Sequence, residues 1–157
     1  MNRWDGALPH DLSPLVEELL AVYPDEGCGL ILRGPGGFRI EPIDNAYDRL
    51  HAADPVAFPR SARSAYAFDS AQWLKASLEA EHRGETVACV YHSHCDFPAT
   101  FSAEDRRCAA PEGAPLLPGT FYLVVGIAQR ALASTCICWW ANGDFQEAEF
   151  PRKRLAV

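Results

Sequence analysis

Two continuous apolar runs of strand length constrain the fold of this chain more than any other feature. They cover residues 86–91 (Thr-Val-Ala-Cys-Val-Tyr) and residues 120–127 (Thr-Phe-Tyr-Leu-Val-Val-Gly-Ile). Apolar residues at successive positions are typical of central strands that are covered on both faces. Helical patterns alternate with these strands, from Ser13 to before Pro24, from Asp69 to Gly84 and from Ser102 to before Pro111. The sequence therefore predicts an α/β fold with a mixed sheet and helices on both faces.

Turn residues indicate two hairpins beside the central strands. The first joins residues 27–32 to residues 38–43, and the second joins residues 134–140 to residues 145–150 through an Asn-Gly turn. The prolines of residues 45–68 favour a long connection that carries at most a short strand near residues 65–68. In the following helix, Leu74 and Leu78 belong to the apolar stripe that we expect to face the core.

Length and composition favour one compact domain. The chain has 157 residues, of which 48% are hydrophobic and 22% are charged, so it has enough apolar material for a core. We expect a single domain over residues 1–157, with its core at about residues 8–150. Residues 151–157 contain the basic cluster Arg152-Lys153-Arg154 and are expected to form a solvated tail.

The charge balance and the cysteines exclude several classes of protein. A net charge of −7 gives no electrostatic reason to bind nucleic acid or an anionic membrane surface. The chain has no signal-peptide pattern and no run of the ~20 apolar residues that a membrane span needs, so we expect a cytoplasmic location. In that reducing compartment the six cysteines should remain thiols. Cys136 and Cys138 are two residues apart in a predicted strand, so both side chains point to the same face, which favours a role in core packing.

The strongest chemical signal lies between residues 92 and 105. His92 and His94 are two residues apart at the end of a predicted strand, so both rings face the same side. Asp105 follows at the start of a predicted helix. Two imidazoles and a carboxylate form a three-ligand zinc set that leaves a fourth tetrahedral position open for water. The pattern therefore predicts one catalytic zinc ion per chain.

Two further residues are candidates for catalysis. Glu26 is the candidate base, because a carboxylate outside the ligand set can move a proton from water to a leaving amine. The hydroxyl of Ser102 is the candidate donor where negative charge builds on the attacked carbonyl oxygen. Each has a simpler interpretation: Glu26 follows Asp25 and fits a solvated acidic surface, and Ser102-x-x-Asp105 alone would be an ordinary capping box.

This segment resembles the signature of the JAMM (MPN-plus) metalloprotease family. That signature is an upstream Glu followed by His-x-His, seven residues, Ser, two residues and Asp, and the chain matches all of it from His92 to Asp105. The stretch Glu26-x-Cys-Gly-Leu and residues 45–69 are similar to the compact bacterial branch of the family. The chain departs from the family at Cys95 and Phe101, where proline is usual. Cys95 adjoins a ligand and is a further thiol that can bind metal.

The resemblance implies a fold, a site and a substrate class. The fold would be cytidine-deaminase-like, and the reaction would be cleavage of a peptide or isopeptide bond. The compact bacterial members act on ubiquitin-like sulfur-carrier proteins, from which they remove a residue or extension after the C-terminal Gly-Gly, and such a carrier is the expected partner. The implied roles are zinc ligation by His92, His94 and Asp105, general-base catalysis by Glu26 and oxyanion support by Ser102.

Two other functions remain open from the sequence. A non-catalytic scaffold of the same fold would keep the domain without the reaction. A zinc hydrolase of small amides or cell-wall peptides would keep the reaction with a different substrate. The sequence leaves the oligomeric state undetermined.

Overall fold

The computed structural model describes residues 1–156, which form four α-helices, six strands and a short 3-10 helix. In chain order these elements are α1 (Ser13–Val22), β1 (Cys28–Gly34), β2 (Gly37–Ile43), α2 (Tyr47–Ala53), α3 (Ser70–Arg83), β3 (Thr86–Cys95), α4 (Ala103–Ala109), β4 (Phe121–Ala128), β5 (Ala131–Ala141), β6 (Asp144–Ala148) and the 3-10 helix (Arg152–Arg154).

All six strands form one mixed sheet in the order β2-β1-β3-β4-β5-β6. The central pair, β3 and β4, is parallel, and every other neighbouring pair is antiparallel. A parallel pair needs a crossover connection, and α4 lies in the crossover between β3 and β4. This arrangement places the carboxyl end of β3 next to the start of α4. The predicted α/β fold with a mixed sheet is confirmed.

Alternation along the central strands produces a core on each face of the sheet. Cys89 and Tyr91 of β3 pack with the α1 side chains on one face, whereas Val90 packs with Ala76 and Ala80 of α3 on the other. The second face also receives α4. The prediction of helices on both faces is therefore confirmed.

Helix α3 begins and ends at the predicted residues, but it presents a different face to the sheet. The Asp69 side chain caps its start by accepting a hydrogen bond from Gln72 N, and Gly84 ends it at a φ of +66°. The prediction that Leu74 and Leu78 face the core is wrong, because both side chains are 58% exposed. The small residues Ala76 and Ala80 face the sheet instead and allow α3 to pack closely against it.

Residues 45–68 are more ordered than predicted. They contain helix α2, which the sequence analysis missed, and the expected short strand is reduced to a single bridge between Asn45 and Phe68. The Asn45 side chain organises this connection: its amide nitrogen donates to Glu26 O (2.9 Å) and Ala65 O (3.0 Å). Its oxygen accepts from Tyr47 N (3.0 Å) and Ala67 N (3.1 Å). Hydrogen bonds between the Asn45 side chain and backbone groups therefore order this segment. Such bonds produce no periodic pattern in the sequence.

The basic cluster near the C-terminus is solvated only in part: Arg152 and Lys153 are exposed, as expected, but the two residues that follow them are not. Arg154 is buried, and its guanidinium donates to Leu8 O (2.9 Å) and Pro9 O (2.6 Å). Leu155 is fully buried in the core beside α1. The two carbonyls satisfy Nη2, and Nη1 lies 3.5 Å from Asp5 Oδ1, whereas Nε has no hydrogen-bond partner within residues 1–156. Across residues 1–156, none of the helices has both the length and the apolar character that a membrane span requires.

Candidate metal centre and its cavity

The two histidines lie in the last third of β3 and point to the same face of the sheet. His92 is completely buried and His94 is 8% exposed. Asp105 comes to them from the first turn of α4, and its side chain is 9% exposed. The parallel β3–β4 crossover brings this helix start over the end of β3. The structure thus brings together the three residues that the sequence selected, as a buried group that can bind a metal.

The spacing of the three side chains fits a tetrahedral metal. His92 Nε2 lies 3.2 Å from His94 Nε2 and 3.3 Å from Asp105 Oδ1, and His94 Nε2 lies 3.4 Å from Asp105 Oδ2. Zn–N and Zn–O bonds of about 2.0–2.1 Å at the tetrahedral angle would separate ligand atoms by about 3.3–3.4 Å. The three measured distances fall close to that value, so the residues present fit a zinc ion.

Hydrogen bonds outside the ligand set orient two of these side chains. His94 Nδ1 lies 2.9 Å from Pro98 O, which favours a proton on Nδ1 and leaves the Nε2 lone pair directed at the centre. Asp105 Oδ2 accepts from Ser102 N at 2.9 Å. Burial opposes ionisation of Asp105, but the adjacent His92 and His94 hold the pKa of its carboxyl well below the usual value. A carboxylate is therefore available as a ligand.

Ser102 occupies the N-cap of α4 and completes a capping box with Asp105. Its Oγ accepts a hydrogen bond from Asp105 N at 3.0 Å. A hydroxyl that accepts in this way keeps its own proton for another acceptor. Ser102 also lines the cavity that contains His94 and Asp105. The cap thus fixes the Ser102 side chain beside the ligand set and leaves its proton free to donate to a bound molecule.

Glu26 lies beside the histidines because β1 pairs with β3. The register aligns Cys28 with His92, and Gly27 N donates to Ser93 Oγ at 2.8 Å just before it. Glu26 is 3% exposed, and burial raises the pKa of its carboxyl to about 7, an effect that the nearby histidines oppose. It lines the same cavity as His94 and Asp105. A buried carboxyl of this kind can exchange protons near neutral pH.

The raised pKa of Glu26 predicts how the metal-free protein responds to pH. The folded state holds this proton up to about pH 7, against a usual value of 4.5. The contribution of this proton to the free energy of unfolding is therefore fully present below about pH 4.5. It is lost as the pH rises to about 7, and the total loss is about 3 kcal/mol. In chelator, wild type should lose more stability than Glu26→Gln between about pH 5.5 and about pH 8. Urea denaturation of both proteins measures this, and parallel pH profiles would contradict the assignment.

Tyr66 belongs to the site although no sequence signal selected it. Its ring stacks on the His92 ring, with centroids 4.4 Å apart and an interplanar angle of 27°. It reaches this position because Asn45 ties residues 65–67 to the backbone of Glu26. The aromatic ring covers His92 and restricts the orientation of the imidazole. Only its place in a long connection, where functional residues are frequent, pointed towards it.

The structure places Cys95 away from the ligand set. It is one residue beyond His94, so its side chain lies on the other face of β3. There its Sγ donates to Asp25 O at 3.2 Å. Burial raises the pKa of the thiol to about 11, so it is protonated at neutral pH. Cys95 is therefore not a ligand of this centre, and Phe101, the other departure from the family pattern, is buried in the core against Tyr122 and Phe145.

A second group of potential ligands, Cys136, Cys138 and Glu147, lies on β5 and β6. Both thiols are buried in the core on the α3 and α4 side of the sheet, as the packing interpretation predicted. Glu147 is exposed and already pairs with Arg106 at 2.9 Å. The ion pair occupies the carboxylate, and we assign this group no metal.

Two of the candidate ligands, His94 and Asp105, line a cavity of about 690 Å³, and His92 is buried beside them. One part of its wall carries the polar residues Glu26, His94, Ser102 and Asp105, and much of the rest is apolar. A cleft of this size and composition suits part of a peptide or a small molecule. Candidate ligands, candidate base and candidate donor therefore face one space in which a reacting group can sit.

Comparisons with known proteins agree with this geometry. Among solved structures, the chain is similar to a protein from Desulfitobacterium hafniense (TM-score 0.63, 21% identity, 88% of this chain and 86% of that chain). It is also similar to a protein from Salinibacter ruber (TM-score 0.55, 24% identity, 88% of this chain and 84% of that chain). These likenesses concern the fold. A search of curated proteins finds no match. The model of the prokaryotic homologs of the JAB domain matches residues 10–142, and the chain belongs to this family.

Proposed function

We propose that the protein is a zinc-dependent hydrolase of amide bonds, of the metallopeptidase or isopeptidase type. The observation that carries this proposal is the meeting of three groups in one cavity. They are the ligand triad of His92, His94 and Asp105, the buried Glu26 with a pKa of about 7, and the Ser102 hydroxyl. The resemblance of Glu26 and residues 92–105 to the JAMM signature, in a chain of the prokaryotic JAB family, supports the same roles for these residues.

Each side chain has a defined task in this reaction. Zinc held by the triad would act as a Lewis acid and lower the pKa of a water molecule to about 7. Glu26 accepts the proton of the attacking water and returns it to the nitrogen of the leaving amine. Ser102 donates its hydroxyl proton in a hydrogen bond to the amide oxygen as negative charge develops there. Tyr66 and Pro98 O hold the two imidazoles in place.

We propose a ubiquitin-like sulfur-carrier protein as the substrate, cleaved after its C-terminal Gly-Gly. This choice rests on the resemblance to the compact bacterial members of the JAMM family. An extended Gly-Gly segment has no side chains, so it needs little room in a cavity whose wall includes Tyr66 and Ser102. The apolar remainder of the cavity then receives the group that leaves.

Metal content and hydrolysis, measured together, test the proposal. We expect about one zinc per chain by elemental mass spectrometry after purification without chelator. We expect the same protein to cleave a carrier that has one extra residue after Gly-Gly, to lose that activity in chelator and to regain it with zinc. Zinc without cleavage of the carrier, but with cleavage of short amides, would favour the small-amide hydrolase. A protein that takes up no zinc when zinc is supplied would be the non-catalytic scaffold.

A further inference from the structure

The wall of the cavity contains one arginine and no lysine. Arg60 is that arginine, and the acidic residues around the same space are Glu26, Glu104 and Asp105. Arg60 lies on the connection between α2 and α3 and is exposed. A permanent cation at the edge of an otherwise acidic and apolar cavity is the natural counter-charge for an anionic group of a ligand.

Arg60 is not committed to a carboxylate of the protein. Its Nη1 donates to Ser64 O at 3.3 Å, and within residues 1–156 it takes part in none of the ion pairs. By contrast, Arg107 on the nearby helix α4 pairs with Glu104 at 2.7 Å. The remaining guanidinium donors of Arg60 are therefore free to bind an incoming carboxylate.

Arg60 also lies close to the candidate catalytic residues. It lines the same cavity as Glu26, Ser102 and Asp105. In an amino acid that leaves after amide cleavage, the carboxyl carbon is two bonds from the new amine nitrogen. A residue that binds this carboxylate must therefore lie beside the group that protonates the amine. Arg60 and Glu26 line one cavity, so both can contact the same bound residue.

The rest of the cavity wall suits the side chain of such a residue. Phe68 and Trp73 stack with ring centroids 5.5 Å apart and an angle of 13°. Phe97 and Leu116 line the cavity and are 58% and 64% exposed, so they present apolar surface that a bound group can cover. An apolar or aromatic side chain fits these surroundings better than a charged one.

We propose that Arg60 forms a carboxylate-binding subsite for the free C-terminus of the leaving residue, whose apolar side chain packs in the aromatic part of the cavity. The inference rests on the proposed function and makes the protein a carboxypeptidase that removes a single residue. Water adds its hydroxyl to the acyl carbon, the C–N bond breaks and the leaving nitrogen takes the proton. The freed amino acid keeps its carboxylate on Arg60.

Binding to an inactive protein tests the subsite separately from the reaction. The probes are N-acetyl-Gly-Gly-Phe with a free carboxylate and the same peptide as its C-terminal amide, titrated by calorimetry into the Glu26→Gln variant. We expect the acid to bind about 10- to 100-fold more tightly than the amide. A carboxylate can also bind zinc, so both titrations are repeated with Arg60→Gln added. The ratio of the affinities for the acid and the amide should then fall to the part that direct binding of the carboxylate to zinc contributes.

The matched control is Arg63→Gln. Arg63 is an exposed arginine of the same connection that does not line the cavity, so its replacement should leave the preference unchanged. Arg60→Lys should retain part of the preference, because a lysine keeps the charge but not the planar fork. Thermal denaturation confirms that each variant is folded. Equal binding of acid and amide, or a preference that Arg60→Gln leaves undiminished, would overturn the subsite.

Hydrolysis of the same two peptides by the wild-type protein separates the two proposals. Cleavage of the acid well above the amide, with the difference lost in Arg60→Gln, supports both. Equal cleavage of acid and amide keeps the hydrolase and rejects the carboxylate subsite. If the acid binds more tightly than the amide but neither peptide nor a carrier is cleaved, the proposed hydrolase activity is wrong and the carboxylate subsite stands.

Discussion

Replacement of Glu26 by glutamine should lower kcat by about 100- to 10,000-fold, the range typical of a lost general base, and should leave the metal in place. The amide of glutamine has nearly the shape of the carboxyl but cannot accept and return a proton. Glu26 is outside the ligand triad, so zinc content by elemental mass spectrometry should equal that of wild type. Steady-state kinetics on the carrier with one extra residue measures the loss.

The adjacent acidic residue supplies the control for this prediction. In the sequence Glu26 directly follows a second acidic residue, Asp25, and the structure separates the two, because Glu26 lines the cavity and Asp25 does not. Asp25→Asn should therefore retain kcat within about twofold of wild type, as substitutions away from functional groups usually do. Loss of zinc in Glu26→Gln, or equal losses of activity in both variants, would show that Glu26 is not the base.

The candidate ligands could be predicted because local geometry alone determines their directions. A strand repeats every two residues, so His92 and His94 had to point to one side wherever β3 was placed. The capping box from Ser102 to Asp105 is equally local, since both hydrogen bonds lie within one helical turn. Only the crossover that brings α4 to the end of β3 is long-range, and the two apolar runs already predicted a central position for both strands.

The residues that sequence reasoning missed depend on contacts between distant parts of the chain. The hydrogen bonds of Asn45 place Tyr66 at the cavity, and Arg60 N donates to the Tyr47 hydroxyl at 3.4 Å in the same connection. Such contacts have no periodicity and no fixed spacing. The orientation of α3 has a similar cause: the periodicity predicted a stripe through Leu74, but the close approach to the sheet selects the small side chains Ala76 and Ala80. At this helix, close packing therefore decides which side chains are buried, and the more hydrophobic leucines remain exposed.

Removal of one ligand should have the second large effect. His94→Ala takes away one of three protein ligands, and zinc should bind on the order of 100- to 1,000-fold more weakly. This range follows because a zinc-binding free energy of about 10–16 kcal/mol, divided over the four protein ligands of a structural zinc site, is about 2.5–4 kcal/mol each. His94 is at the cavity wall and partly exposed, so its loss should disturb the core less than loss of the fully buried His92.

Two measurements on purified protein check this expectation. Zinc content should fall from about one per chain to a small fraction, and the zinc-dependent rise in thermal stability should disappear at the concentration that stabilises wild type. Asp105→Asn should behave in the same way, because asparagine keeps an oxygen that can accept from Ser102 N but loses the negative charge that attracts zinc.

A surface histidine distinguishes a specific site from general metal binding by imidazoles. His82 lies in the last turn of α3, is exposed and lies outside the group that converges on Asp105. His82→Ala should keep zinc content and zinc-dependent stability at the wild-type level. If it loses zinc as His94→Ala does, the bound metal is on the protein surface and the buried triad is not the site. If His94→Ala keeps full zinc content, the 3.2–3.4 Å separations of the triad reflect hydrogen-bonded side chains in place of a metal centre.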